Sequence, residues 1–413
     1  MESFANSVED RLIDGLSFKL QPGASYITDR RSVSFHPQGS NIYKPSTGTK
    51  LIKILLTGDS WLDPSTFRVM FDLENLETTA TKFLRNISGP WSFFRRMRVI
   101  VGGQVVEDID YYNRVHEMMS LLQAKDSREN ESVEGFGQLL NHHKKYEDID
   151  EYLGIPGNAK QTVMFKPLSG LFNQSKYLPI RYTPISLELE LVDNVEDPIL
   201  GVGGGNLVKF TANVTSLTWQ ISNVQAKCDL CTLDNALDNS YTEMLLSGKS
   251  FPINYNTFVS QIQTITNQSA PYINVSRALT RLKSVFVSLE KDYGATSRDA
   301  NKSKKFWCDF FSPASDNNKG GKLWIDPNDE FEFQLQVGSK LFPEYPIRSH
   351  AEAYYQLRKT LGLQSSSVHS FDISANEYRD NKFAIGIDCE KVLDAGWTGL
   401  NTRSGVLMCV RMK

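Results

Sequence analysis

Side chains that do chemistry come in characteristic spacings, and several partial matches occur along the 413 residues. Leu246-Ser-Gly-Lys-Ser250 ends as a phosphate-binding loop ends. Such a loop opens with a glycine five positions before its second one, and here that position holds Glu243, whose charge repels phosphate. The preceding segment reads as helix, so Gly248 reads as a helix C-cap. Cys228-x-x-Cys231 has zinc-knuckle spacing, but no second Cys pair or His pair stands near it to complete four ligands. Two buried thiols beside a strand end is the plainer reading. His142-His143 is a vicinal pair in a polar loop, with the other four histidines scattered, so copper or zinc binding is the lesser reading. Asp316 and Asn318 have calcium-loop spacing, yet Gly320 takes the fifth position and Pro327 the twelfth, where a bidentate Glu is required. No Gly-x-Ser-x-Gly elbow occurs. Glu188 and Glu190 share the polar face of one strand and read as solvated, whereas paired glycosidase carboxylates come from distant strands and leave no local signature. Phe93-Phe-Arg-Arg-Met-Arg98 mixes aromatics with base as a single-strand binder does. Strand alternation explains it more simply, with Met97, Val99 and Val101 facing a core and Arg96 and Arg98 facing out. The expectation is a chain with no catalytic, cofactor-binding or metal-ligating residues.

The chain that positions these residues has the balance of a soluble globular protein, 40% hydrophobic and 23% charged. Its length exceeds the size at which one core stops growing, which predicts two domains. A net charge of -3 removes the broad basic footprint of a nucleic-acid binder, though not a local patch. Five cysteines, an odd and sparse set, read as reduced thiols made inside a cell. Sequons such as Asn86-Ile-Ser88 and Asn213-Val-Thr215 are then chance. No apolar run approaches the ~18 residues of a membrane span. Met1 to Asp14 lacks the basic-then-apolar order of a secretory signal.

Strand signals dominate. Ile185 to Leu191 alternates strictly, and Val208 to Ile221 alternates through Val208, Phe210, Ala212 and Val214, then Leu217, Trp219 and Ile221. Phe331 to Val337 repeats the pattern, and Val406 to Val410 reads as a buried terminal strand. Gly201 to Asn206 and Ser312 to Gly321 have loop composition. Helices are few. Ser349 and Glu352 form a capping box for Ala351 to Leu361, with Gly362 at the C-terminal end. Asp110 to Gln123 carries Tyr112, Val115, Met119 and Leu122 at helical spacing, and Leu237 to Ser247 ends at Gly248. This is all-β with short helical insertions, not the alternation of a parallel α/β enzyme.

The two halves echo each other. Trp61-Leu-Asp-Pro64 leads into one strand and Trp324-Ile-Asp-Pro327 into another. A strand ending Val101-Gly-Gly103 precedes a helix with Tyr111-Tyr112, and one ending Val337-Gly-Ser339 precedes a helix with Tyr354-Tyr355. Asp-Pro is a common turn opener, and the offsets differ, so the echo fits a drifted duplication divided within residues 222–251.

Against this background Trp61-Leu-Asp-Pro-Ser-Thr-Phe-Arg-Val69 and Phe94-Arg-Arg-Met-Arg-Val-Ile-Val-Gly-Gly-Gln-Val-Val-Glu-Asp-Ile-Asp-Tyr-Tyr-Asn113 resemble the first jelly roll of a double-jelly-roll viral major capsid protein, of the polinton-like virus, adintovirus and virophage type. Phe333 to Ser349, Phe383 to Asp388 and Thr398 to Gly405 resemble the second half of the same family. The resemblance runs from about Trp61 to the C-terminus. It implies two tandem eight-stranded jelly-roll β-sandwiches. It also implies a homotrimer forming a pseudo-hexagonal capsomer of an icosahedral shell, with penton and minor capsid proteins as further partners. No cofactor, sequence-specific nucleic-acid binding or membrane span follows from it, and the location is the virion, assembled inside a host cell. The expected organisation is an arm or base segment (1–40), a first jelly roll (41–222), a connecting segment with a helix (223–250) and a second jelly roll (251–413). Two other readings remain. One is a tandem jelly-roll enzyme acting on glycans or glycopeptides. The other is a carbohydrate- or receptor-binding surface module exposing Trp91, Trp307 or Trp397.

Overall fold

The structure is a computed structural model. It describes residues 26–45, 49–131, 133–136, 154–199, 215–265, 271–290, 310, 312, 331–363, 373–380, 382–391, 398–403 and 407–413. Alternation of apolar and polar residues builds the first unit. Its strands are β1 (Ile27–Phe35), β2 (Ile42–Tyr43), β3 (Leu51–Leu56), β4 (Trp61–Asn75), β5 (Phe94–Val101), β6 (Gln104–Ile109), β7 (Lys160–Phe165), β8 (Ile185–Leu191) and β9 (Trp219–Leu233). One sheet has the order β1-β9-β4-β7, with the two-residue β2 also on β9, and the other has the order β3-β8-β5-β6. All their pairings are antiparallel. Phe67, Val69, Phe71 and Leu73 of β4 meet Met97 and Val99 of β5 and Ile185, Leu187 and Leu189 of β8 in one buried cluster. Phe71 stands edge-on to Phe94 at 5.6 Å between ring centres, an arrangement favoured by the ring quadrupoles. Alternating faces thus close into a sandwich.

Two helices, α1 (Tyr112–Leu121) and α2 (Lys125–Glu131), sit between β6 and β7. After β9 comes α3 (Asn235–Leu246), whose N-terminus is capped by the Asp234 side chain accepting from the Ala236 N–H. It ends at Gly248, whose φ of 81° and N–H to the Leu245 carbonyl make the expected C-cap. The phosphate-loop resemblance at Ser247 to Ser250 is therefore a helix terminus.

The second unit contains β10 (Tyr272–Val275), β11 (Ser284–Val287), β12 (Phe333–Val337), β13 (Lys340–Ile347), α4 (His350–Thr360), α5 (Ala375–Asp380), β14 (Ile385–Asp388) and β15 (Met408–Met412). Its larger sheet runs β10-β15-β12-β13, and β11 pairs with β14. A separate buried cluster joins Phe333, Leu335, Leu357, Ile385, Ile387 and Val410. The molecule is mostly strand with few helices, as its apolar periodicity predicts. Among the described residues no helix is long and apolar enough to cross a membrane.

The junctions differ from those expected. Residues 27–35, read as part of an arm or base segment, are a full edge strand paired along β9. The boundary placed at 222/223 falls inside β9. Asn223 takes a left-handed φ of 48°, and the pairing with β4 slips between Met70 and Asp72. A bulge shifts the apolar phase from Trp219 and Ile221 to Val224, Ala226, Cys228 and Leu230, so strict period-2 reading stops where the strand does not. The strand read from Val208 begins only at Trp219 among the described residues. Val208 to Val214, Gly201 to Asn206, His142-His143, the Asp316 loop, Trp307, Trp324 and Trp397 lie outside them.

Candidate assembly surface

The two units are joined by a segment that packs on the first unit's core. Residues 251–265 form neither helix nor strand and run from α3 toward β10. Ile253, Tyr255 and Phe258 of this strap pack on the first unit's core. The Lys176 ammonium donates to the Pro252 carbonyl at 3.0 Å, and the Ser260 hydroxyl donates to the Asp110 carbonyl. Gly170 is required beneath the strap, because a Cβ there would lie 1.9 Å from the Asn256 carbonyl oxygen. Farther along, the Arg114 guanidinium bridges Asp197 at 3.5 Å and Glu290 at 3.1 Å, tying α1 to the segment that follows β11. Burial alone would lower its pKa, but the two carboxylates outweigh that cost and raise it. At the other end of the unit α3 is held by Asp238 on Arg181 and by Trp61 packing on Tyr241 at 5.3 Å.

The outer face of β3-β8-β5-β6 carries a ladder of alternating charge in register, Lys53, Glu188, Arg98 and Asp108. Lys53 reaches Glu188 at 3.4 Å and Arg98 reaches it at 2.7 Å, while Arg96 holds Asp108 through two bonds of 2.7 and 2.6 Å. The Arg96 hydrogen bonds pull the Asp108 carboxyl below the usual range. Glu188, expected on a solvated face, is only 6% exposed. Its long cationic neighbours lie over it from both sides. Arg95 turns to Asp193. The arginines of the Phe93–Arg98 cluster thus hold the protein's own carboxylates, as the alternation reading requires, and Met97 and Val99 point into the core.

A polar cluster lies buried under α1. Asn113, Glu117 and Ser120 recur at i, i+4 and i+7 and are buried. The Glu117 carboxylate accepts from the Ser88 hydroxyl, from the Trp91 indole at 3.0 Å and from Arg128 at 3.4 Å. Beside it His116 stacks on Trp91 at 4.0 Å, and burial pushes its pKa down to about 4. The helical spacing of this polar triplet was the available signal, but such a stripe ordinarily faces water.

Residues singled out for chemistry are not brought together. Cys228 and Cys231 are buried toward the C-terminal end of β9, and burial pushes the Cys228 thiol up to about 12. Among the described residues no three His, Cys, Asp or Glu side chains are placed to hold a metal ion. Trp61, Trp91 and Trp219 are all core residues rather than a displayed aromatic surface. A cleft of about 1270 Å³ separates α1 and residues 194–197 from the strap, β10, β11 and β15. Its walls are largely apolar, including Met118, Phe258, Val275, Val287 and Val410, and no His or Cys is among the described residues lining it.

Neither a protein-family model nor a curated protein matches the chain. Solved structures do. The Faustovirus major capsid protein superposes with a TM-score of 0.58 at 10% identity, covering 98% of this chain and 89% of that one. A chain of the PBCV-1 virus capsid gives 0.52 at 11% identity, over 96% and 86%. One from the Sputnik virophage gives 0.51 at 10% identity, over 98% and 86%. The fold is that of the double-jelly-roll viral major capsid proteins. The overlap extends through both units and the strap.

Proposed function

We propose that this chain is a structural major capsid protein that self-associates as a trimeric, pseudo-hexagonal capsomer and tiles an icosahedral viral shell. The observation that supports this is the match of nearly the whole chain, both units together, to capsid proteins. Two similar units per chain give six similar corners in a trimer, and six corners fill a hexagonal lattice. The unit boundaries proposed here are residues 27–233 and 251–413, with α3 between them. Loops between strands supply the lateral contacts. A net charge of -3 keeps like-charge repulsion small where subunits approach closely. Penton and minor capsid proteins complete the shell, which is assembled inside the host cell, and genome packaging falls to other proteins.

The charge ladder and the buried Glu117 cluster fit this role better than catalysis, because they join strands and helices of the chain itself. Light scattering and negative-stain microscopy of the purified protein test the reading. The expected result is a tight trimer, hexagonal in projection, able to form sheets or shells. A stable monomer that hydrolyses or binds a glycan overturns it.

A further inference from the structure

Glu107 is the one carboxylate on β6 that points inward, and it is 1% exposed. Its Oε1 accepts the Leu171 N–H at 2.7 Å, and the Gly170 N–H and Ser169 hydroxyl also favour its charged form. Its Oε2 has no hydrogen-bond partner among the described residues. This same turn, residues 169–171, is the one on which the strap rests. The space where a Gly170 Cβ would stand is filled by Asn256 and by the Tyr255 ring, at 2.7 Å from that position. The carboxyl, the turn and the strap therefore form three successive layers.

We propose that the Glu107 carboxyl is a proton-operated latch for the strap: neutral, it lets the 169–171 turn and residues 253–258 close over it; ionised, it loosens them. The groups that face it are Tyr112 from α1 and Tyr255 from the strap, both raised in pKa first by burial and both feeling its charge. From the turn come two N–H groups and one hydroxyl. Among the described residues no Lys, Arg or His acts on it. His116, packed against Tyr112 at 5.5 Å, is itself kept neutral by burial. A negative charge in that setting is opposed only by dipoles, and burial accordingly raises the Glu107 pKa despite them. The contribution to strap closure is fully present below the ordinary glutamate range. It is lost as pH rises through the raised folded value. The released proton goes to solvent, and the strap can then lift from the first unit. This inference rests on the geometry of one chain and does not depend on the shell-building reading.

Native-state cleavage of the full-length protein by chymotrypsin after Tyr255 or Phe258 measures strap opening, with rates normalised at each pH to an unfolded peptide of the same sequence. Above the ordinary glutamate range the normalised rate for the natural chain should rise, by up to roughly tenfold per pH unit, and level off once Glu107 is ionised in the closed chain. Glu107→Gln should remove that rise and keep the strap closed. Gly170→Ala should raise cleavage at every pH, because it lifts the strap directly. A flat profile in the natural chain overturns the latch, as does an unchanged slope in Glu107→Gln. Unaltered cleavage in Gly170→Ala overturns it as well, and the first and third measurements decide the matter even if Glu107→Gln fails to fold.

Discussion

Two hairpin-and-helix segments, one in each unit, are built alike and held differently. In the first, β5 turns through Gly102-Gly103, both at positive φ, into β6 and then α1. In the second, β12 turns through Gly338-Ser339 into β13 and then α4. These are the segments whose Tyr-Tyr pairs echo in the sequence. In α1 the second tyrosine, Tyr112, is buried, whereas in α4 the first, Tyr354, packs on Tyr378 and Tyr355 is exposed. The helix α1 begins without a side-chain cap at Tyr111, which sits at a left-handed φ of 48°. Its anchorage is tertiary, through Glu117. By contrast α4 starts on Ser349, whose hydroxyl accepts the Glu352 N–H at 3.2 Å, while Glu352 accepts the Arg348 N–H at 2.7 Å. Its anchorage is local, with Gly386 of β14 admitting the helix closely. One architecture can be fixed by a distant buried charge or by its own first turn.

The most severe test of the difference removes a strand. Deleting Val406 to Lys413 takes away β15, which lies between β10 and β12. The second unit should become fully susceptible to limited proteolysis while residues 27–233 stay resistant. Loss of both units together would mean they do not fold as separate cores. Next, Glu117→Gln takes the carboxylate from Arg128, Ser88 and Trp91. It should lower the stability of the first unit by about 3–5 kcal/mol in urea unfolding, the cost typical of breaking a buried pair. A change below ~1 kcal/mol would show that α1 is held by its apolar side instead. Gly386→Ala would place a Cβ 2.8 Å from the Thr360 hydroxyl and 2.9 Å from its Cβ. A loss of about 1–3 kcal/mol, confined to the second unit's transition, is expected from such overpacking. Smallest is Ser349→Ala, which should cost about 1 kcal/mol and fray the first turn of α4 in amide exchange. Equal fraying of α1 and α4 in the natural chain would remove the distinction.

The same contrast explains what could be read without coordinates. The helix α4 was legible within a residue at each end because its capping box and Gly362 are consecutive signals. For α1 helical spacing points to a start at Asp110, two residues early, since nothing local marks Tyr112 as its first residue. Strand β8 was legible from end to end because Ile185 to Leu191 keeps one phase. In β9 the bulge at Asn223 breaks the phase and hides the strand beyond Ile221, residues 222–233. Glu188 looked solvated because the reading of one strand cannot see Lys53 and Arg98 on its neighbours. The strap was missed for a related reason: Phe251, Ile253 and Tyr255 alternate like a strand, yet their partners are a turn and a core rather than a ladder. Signals carried within a few residues were available, and those completed across the fold were not.

The placement of β9 has a consequence for how the protein is made. Its pairings join Ile27 to Leu233 and Trp61 to Cys231, so the middle of this sheet is the last of its strands to be synthesised. At about 5–20 residues per second, β4 leaves the ribosome on the order of ten seconds before the strand that must lie between it and β1. Through that interval Phe67, Val69, Phe71 and Leu73 have only part of their cover, and β4 presents an open edge to every other nascent chain nearby. A cell producing many copies at once therefore has to keep unfinished chains apart until residue 233 has emerged. Growth temperature and chaperone supply should set the yield of this protein before any contact between finished copies does.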